Sequence, residues 1–122
     1  MSDLNISTRQ SGSVTIVDLA GKIALGESNR ALHDAIRKLI DDGNKSILLN
    51  LASVTVIDSS GLGELVASYA SAERSGGSMK LSNLSDRFIE LITITKLYTV
   101  FDVFDNEADA LASFGSASEA AA

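Results

Sequence analysis

KSILLNLASVTVIDSSGLGEL, residues 45–65, passes from strand chemistry to helix chemistry at one corner. Ile47, Leu48 and Leu49 are consecutive and apolar, as in a strand buried on both faces of a parallel sheet. The strand is read over 45–51. An apolar alternation, VTVI, then runs into Asp58, Ser59, Ser60, Gly61 and Gly63. Beyond the glycines, Leu62, Leu65, Val66 and Tyr69 recur at helical spacing up to Gly76-Gly77. A buried strand followed by an amphipathic helix is the building unit of parallel α/β sheets.

The flanking sequence repeats that unit. Upstream, SVTIVDLA (13–20) is rich in β-branched residues and ends at Gly21, so it reads as a strand. LNISTR (4–9) is a weaker strand, and SGS (11–13) would join the two as a hairpin. Ala31, Leu32, Ala35, Ile36, Leu39 and Ile40 form one apolar helical stripe. Ser28 is expected to cap that helix and Gly43 to stop it. Downstream, SMKLSNL (78–84) alternates as a short strand, and Ser85 caps a helix through Phe88, Leu91 and Ile92. Its tail, ITITK (92–96), is β-branched and fits helix or strand. YTVFDVF (98–104) is a final strand. Asn106, with Asp109 three residues on, caps a last helix to Phe114. The order is ββαβαβαβα: an α/β fold whose sheet is mixed but mainly parallel, with one antiparallel strand from the hairpin. One domain is expected over 1–115, with a disordered tail over 116–122.

Composition narrows the function classes. With 45% apolar residues the chain is globular, and no apolar run is long enough to span a bilayer. Residues 1–10 lack the basic region and apolar stretch of a secretory signal. A soluble cytoplasmic protein is the expectation. Net charge is −6 and basic residues are scattered singly, which argues against nucleic acid and against an anionic membrane surface as partners. With no cysteine there is neither a thiolate nucleophile nor a cysteine metal site.

The corner at 58–63 admits four chemistries. Hydrolysis would need G-x-S-x-G and a base. The glycines here follow the serines, and the one histidine, His33, sits beside a helical stripe as a surface or boundary residue. A phosphate loop would need GxxxxGK[ST] and a dinucleotide site GxGxxG; Gly61-Leu62-Gly63 meets neither. One histidine and dispersed carboxylates make no recognisable metal cluster, so neither catalytic residues, cofactor nor metal are expected. Capping explains one of Asp58, Ser59 and Ser60 well, but not three polar residues and two glycines. Phosphorylation is the fourth chemistry that the physics allows. A serine at a helix start accepts a phosphate without unfolding the domain, because the dipole and free amides stabilise negative charge.

VIDSSGLGEL, after a buried LLNL strand and a short apolar loop, resembles the signature of anti-sigma factor antagonists, single-domain members of the STAS family. The resemblance covers roughly residues 4–114. It includes Gly21, Leu49-Asn50-Leu51, the DSSGLG core, Gly76-Gly77 and LYTVFDVF (97–104). It implies a non-enzyme in bacterial signalling that acts by partner switching in transcription regulation. The unphosphorylated form would bind an anti-sigma factor that is also a serine kinase of the GHKL type, freeing the sigma factor. Phosphorylation of Ser59 would end binding, and a metal-dependent serine phosphatase would reset it. The partner surface would comprise Asp58, Ser60, Gly61, Leu62, Glu64, Ala67 and Ser68, with the last three on the solvent side of the helix; Ser60 would serve as cap or spacer. A monomer is the family expectation. One departure stands out. Ala24, in Gly21-Lys22-Ile23-Ala24, occupies a place where many members carry an acid. The alternative is an unphosphorylated STAS scaffold in a stressosome-like or transporter-associated complex.

Overall fold

The computed structural model describes residues 4–121, with side chains through Phe114. Its elements are β1 (Leu4–Ser11), β2 (Val14–Ile23), α1 (Glu27–Asp41), β3 (Ser46–Ile57), α2 (Ser59–Arg74), β4 (Ser78–Ser82), α3 (Asp86–Thr95), a 3-10 turn (Leu97–Thr99), β5 (Val103–Phe104) and α4 (Glu107–Ala121). The order ββαβαβαβα is as read. The last helix, expected to end at Phe114, runs on to Ala121, and Ala122 of the expected tail lies outside the described residues.

The strands lie in chain order, β1-β2-β3-β4-β5. β1 runs antiparallel to β2, and the remaining pairs are parallel. Right-handed crossovers that always step in one direction put their helices on one face. Accordingly α1, α2 and α3 contribute Leu32, Ile36, Leu65, Phe88 and Ile92 to a single core with Val17, Leu19, Leu49 and Leu81. α4 covers the other face. Ala110 and Phe114 pack there on Val14, Ile16 and Leu48. The alternation of side chains along a strand separates the two cores. Leu48 and Leu49 are both fully buried because each face has its own helical cover.

Three other boundaries differ from the expectation, and one that the sequence left open is decided. β3 has no loop after Leu51; it continues to Ile57, held by β2 through register shifts at Asp18/Ala20 and Gly21/Lys22. The final strand shrinks to Val103–Phe104, because 97–99 form a 3-10 turn instead. The β-branched ITIT stretch is helical, and α3 ends when Lys96 adopts a left-handed φ of 60°. Ser28 does not cap α1. Gly26 precedes the helix without a side-chain cap, and Ser28 is buried, with its Oγ accepting from Ala24 N and donating to Ala24 O.

Candidate functional site

The corner after β3 is organised by one carboxylate. Asp58 leaves the strand in extended conformation and caps α2, with Oδ1 accepting from Gly61 N at 2.7 Å. Its Oδ2 accepts from Leu25 N at 3.1 Å, and its own N–H donates to Ile23 O. One side chain thus ties the helix start to the loop after β2. The Gly61 amide, and next the Leu25 amide, hold the Asp58 carboxyl below the usual carboxylate range. It is therefore charged at neutral pH.

The close approach of loop and helix explains Gly61. A Cβ there would stand 2.0 Å from the Ile23 carbonyl oxygen. Gly61 and Leu62 are buried, so they shape the helix start from beneath. Ser59, the first helical residue, is exposed and makes no side-chain hydrogen bond among the described residues. Ser60 is half-buried, and its Oγ accepts from Asn29 Nδ2 of α1. Ser60 is thus a tether between α1 and α2.

Further along α2, Ala67 is exposed as expected. Ser68 is not on the solvent side: it is 3% exposed and donates to Glu64 Oε2. Glu64 is only partly accessible, because the same oxygen lies 3.3 Å from His33 Nδ1 of α1. Both face the α1–α2 contact, where a helical position two turns from the cap turns back toward its neighbour. His33 is an exposed boundary residue, 3.3 Å from one acid and bonded to no hydroxyl.

The carboxyl ends of the parallel strands β2 and β3 form one rim. The loop at 21–25 and the Asp58–Ser59 corner meet through the Leu25–Asp58 bond. Ala24 has its backbone N–H and C=O both occupied by Ser28. Beside it stands Leu25, 81% exposed, which pattern reading did not single out. A signal existed: Leu25 belongs to neither the strand alternation before it nor the helical stripe after it. Among the described residues, no group of three or more histidines or carboxylates could hold a metal ion. No helix there is long and apolar enough to cross a membrane.

Residues 5–110 match the STAS domain. The chain belongs to the STAS domain family. This STAS domain is 33% identical over 101 residues to the anti-sigma-B factor antagonist of Bacillus subtilis, a match covering 83% of this chain and 91% of that one. The fold recurs in an anti-sigma factor antagonist from Mycobacterium paratuberculosis, with TM-score 0.80, 23% identity and coverage of 90% of this chain and 92% of that one. It recurs also in the Bacillus cell-fate determinant SpoIIAA in its phosphorylated form, with TM-score 0.70, 18% identity and coverage of 90% and 99%.

Proposed function

We propose that this STAS domain is an anti-sigma factor antagonist switched by phosphorylation of Ser59. The observation that carries the reading is the division of labour at the corner. Asp58 is spent on two amides and Ser60 on Asn29, whereas the Ser59 hydroxyl is exposed and uncommitted. The domain acts as a binding module and a kinase substrate rather than a catalyst. Its partner is an anti-sigma factor that carries serine kinase activity of the GHKL type, and a metal-dependent serine phosphatase reverses the modification.

The switch follows from electrostatics. Transfer of the γ-phosphoryl group of ATP to Ser59 Oγ releases ADP and places about −2 charge on the rim. The start of α2 tolerates that charge in cis. A docked partner does not, since the added charge stands next to the ionised Asp58 and must be matched across the interface. The rim around Ser59 comprises Asp58, Ser60, Ala67 and the accessible part of Glu64, with Gly61, Leu62 and Ser68 supporting it from within. Ala24 removes a negative charge from this rim, and Leu25 supplies an apolar anchor beside it.

The test is labelling with the cognate kinase and ATP, read by intact mass. Wild type and Ser60→Ala should each gain one phosphate, and Ser59→Ala none. Ser59→Asp should weaken partner binding about tenfold or more while leaving the thermal midpoint nearly unchanged. A label persisting in Ser59→Ala, or undiminished binding by Ser59→Asp, would overturn the assignment. The second of these outcomes would favour an unmodified scaffold.

A further inference from the structure

The C-terminal half of β3 has a ladder neighbour on one edge only. β2 follows it as far as the pair Ile23–Ile57, whereas β4 leaves it at the pair Asn50–Ser82. Residues 51–57 therefore present about 20 Å of strand edge without a ladder partner on the β4 side, among the described residues. Unpaired N–H and C=O groups on such an edge are a template for another extended chain. At the beginning of this stretch Asn50 Oδ1 accepts from Ala52 N.

α3 stands off from this edge and leaves a cavity of about 420 Å³ between them. Val54 and Val56 line one wall, and Leu91 and Ile94 the other, with Arg87 and Glu90 also on the helical wall. Of the exposed large apolar residues, Leu25 lies in the loop after β2 and Val103 on β5. Val56, Ile89, Ile94 and Tyr98 all lie on this edge or on α3 and the turn after it. Single exposed apolar residues are ordinary, but Val56 and Ile94 both line the cavity beside the open strand edge, which makes it a groove with a hydrogen-bonding floor. That floor ends at Ile57, immediately before Asp58 and Ser59.

We propose that an extended segment of the anti-sigma factor docks in this groove as an added strand on β3. The inference rests on the antagonist reading and carries its interface from the corner along the strand that leads into it. Three features set the chemistry of the occupant. The open edge requires an extended backbone, since a helix has no unpaired groups along its length. The apolar walls select aliphatic or β-branched side chains at alternate positions. Arg87 and Glu90, one helical turn apart, select an acid and a base on the incoming segment. One end of the added strand lies beside Ser59, so a phosphate there acts on the same docked segment.

Amide exchange and calorimetry test this with the kinase that labels Ser59 as the probe. In the complex, backbone amides within 52–57 should exchange more slowly than in the free domain. Val56→Lys and Ile94→Glu should each weaken Kd about tenfold or more. Their thermal midpoints should change little, because Val56 is 45% and Ile94 70% exposed. Unchanged exchange at 52–57, in a complex that still weakens on Ser59→Asp, would overturn the groove and leave the antagonist reading intact. Wild-type affinity in both groove variants would overturn it equally. A chain that binds no such kinase would overturn both.

Discussion

Gly61 and Asp58 show how much a few atoms decide at the corner. A methyl at Gly61 has to displace the Ile23 carbonyl, which is itself engaged by Asp58 N. Gly61→Ala should therefore cost about 1–3 kcal/mol, read as a lower urea midpoint with an unchanged slope. Gly63→Ala is the control. Nothing lies within 4 Å of its added Cβ, so helix propensity should raise stability by up to about 1 kcal/mol. Asp58 also predicts a pH dependence. Its folded pKa lies below the unfolded value of about 3.9, so its contribution is present above that value and lost as pH falls through the folded pKa. Asp58→Asn can still accept from Gly61 N but does not titrate. Urea midpoints between pH 6 and pH 2 should then fall less steeply than in wild type. They should not become flat, because Arg9 depresses Asp18 in the same direction. Residue type and position narrowed the cap to Asp58, Ser59 or Ser60, and the structure gives it to Asp58. The roles of Ser28 and Leu25 were not legible, because they depend on a loop folding back onto another element.

Helix and strand boundaries were less legible than the elements themselves. ITIT carries strand propensity, yet it is the last turn of α3, because Ile92 packs into the core on the same face as Phe88. Burial on a helical face outweighed β-branching. The helix then stops at Lys96, a side chain held at φ 60° where glycine is usual. Lys96→Gly should remove that strain and raise stability by up to about 1 kcal/mol, less the entropy that glycine adds to the unfolded chain. Thermal denaturation of the pair checks it. A lowered midpoint would mean that the lysine stem contributes more by packing than its backbone costs. The length of β3 was missed for a related reason. After Leu51 the apolar run breaks into alternation, which is what a strand paired on one edge and partly exposed to solvent should show. The same exposure creates the proposed groove.

Two cores on opposite faces of one sheet make the whole molecule a three-layer object, and its cooperativity depends on the sheet between them. α4 is held by Phe114 and Ala110 packing on Leu48. At its start, Arg9 donates to both Asp18 and Glu107. This ion pair is half-exposed and contributes little by itself, so the apolar contact should dominate. Phe114→Ala should cost about 3 kcal/mol, and unfolding should remain a single transition by both far-ultraviolet dichroism and the fluorescence of Tyr69 and Tyr98. Two separated transitions would show that α4 unfolds independently of the larger core. Pattern alone was enough for the α/β class, the order of elements and the DSSGLG corner. Periodicity and capping are local, and a parallel sheet imposes them wherever it occurs. The assembled sheet was needed for everything that joins distant segments: Leu25 N on Asp58, Asn29 on Ser60, Ser68 turned inward, and the strand edge left open by a short β4. These depend on register and on which neighbour ends first, and neither is written in the periodicity of any one segment.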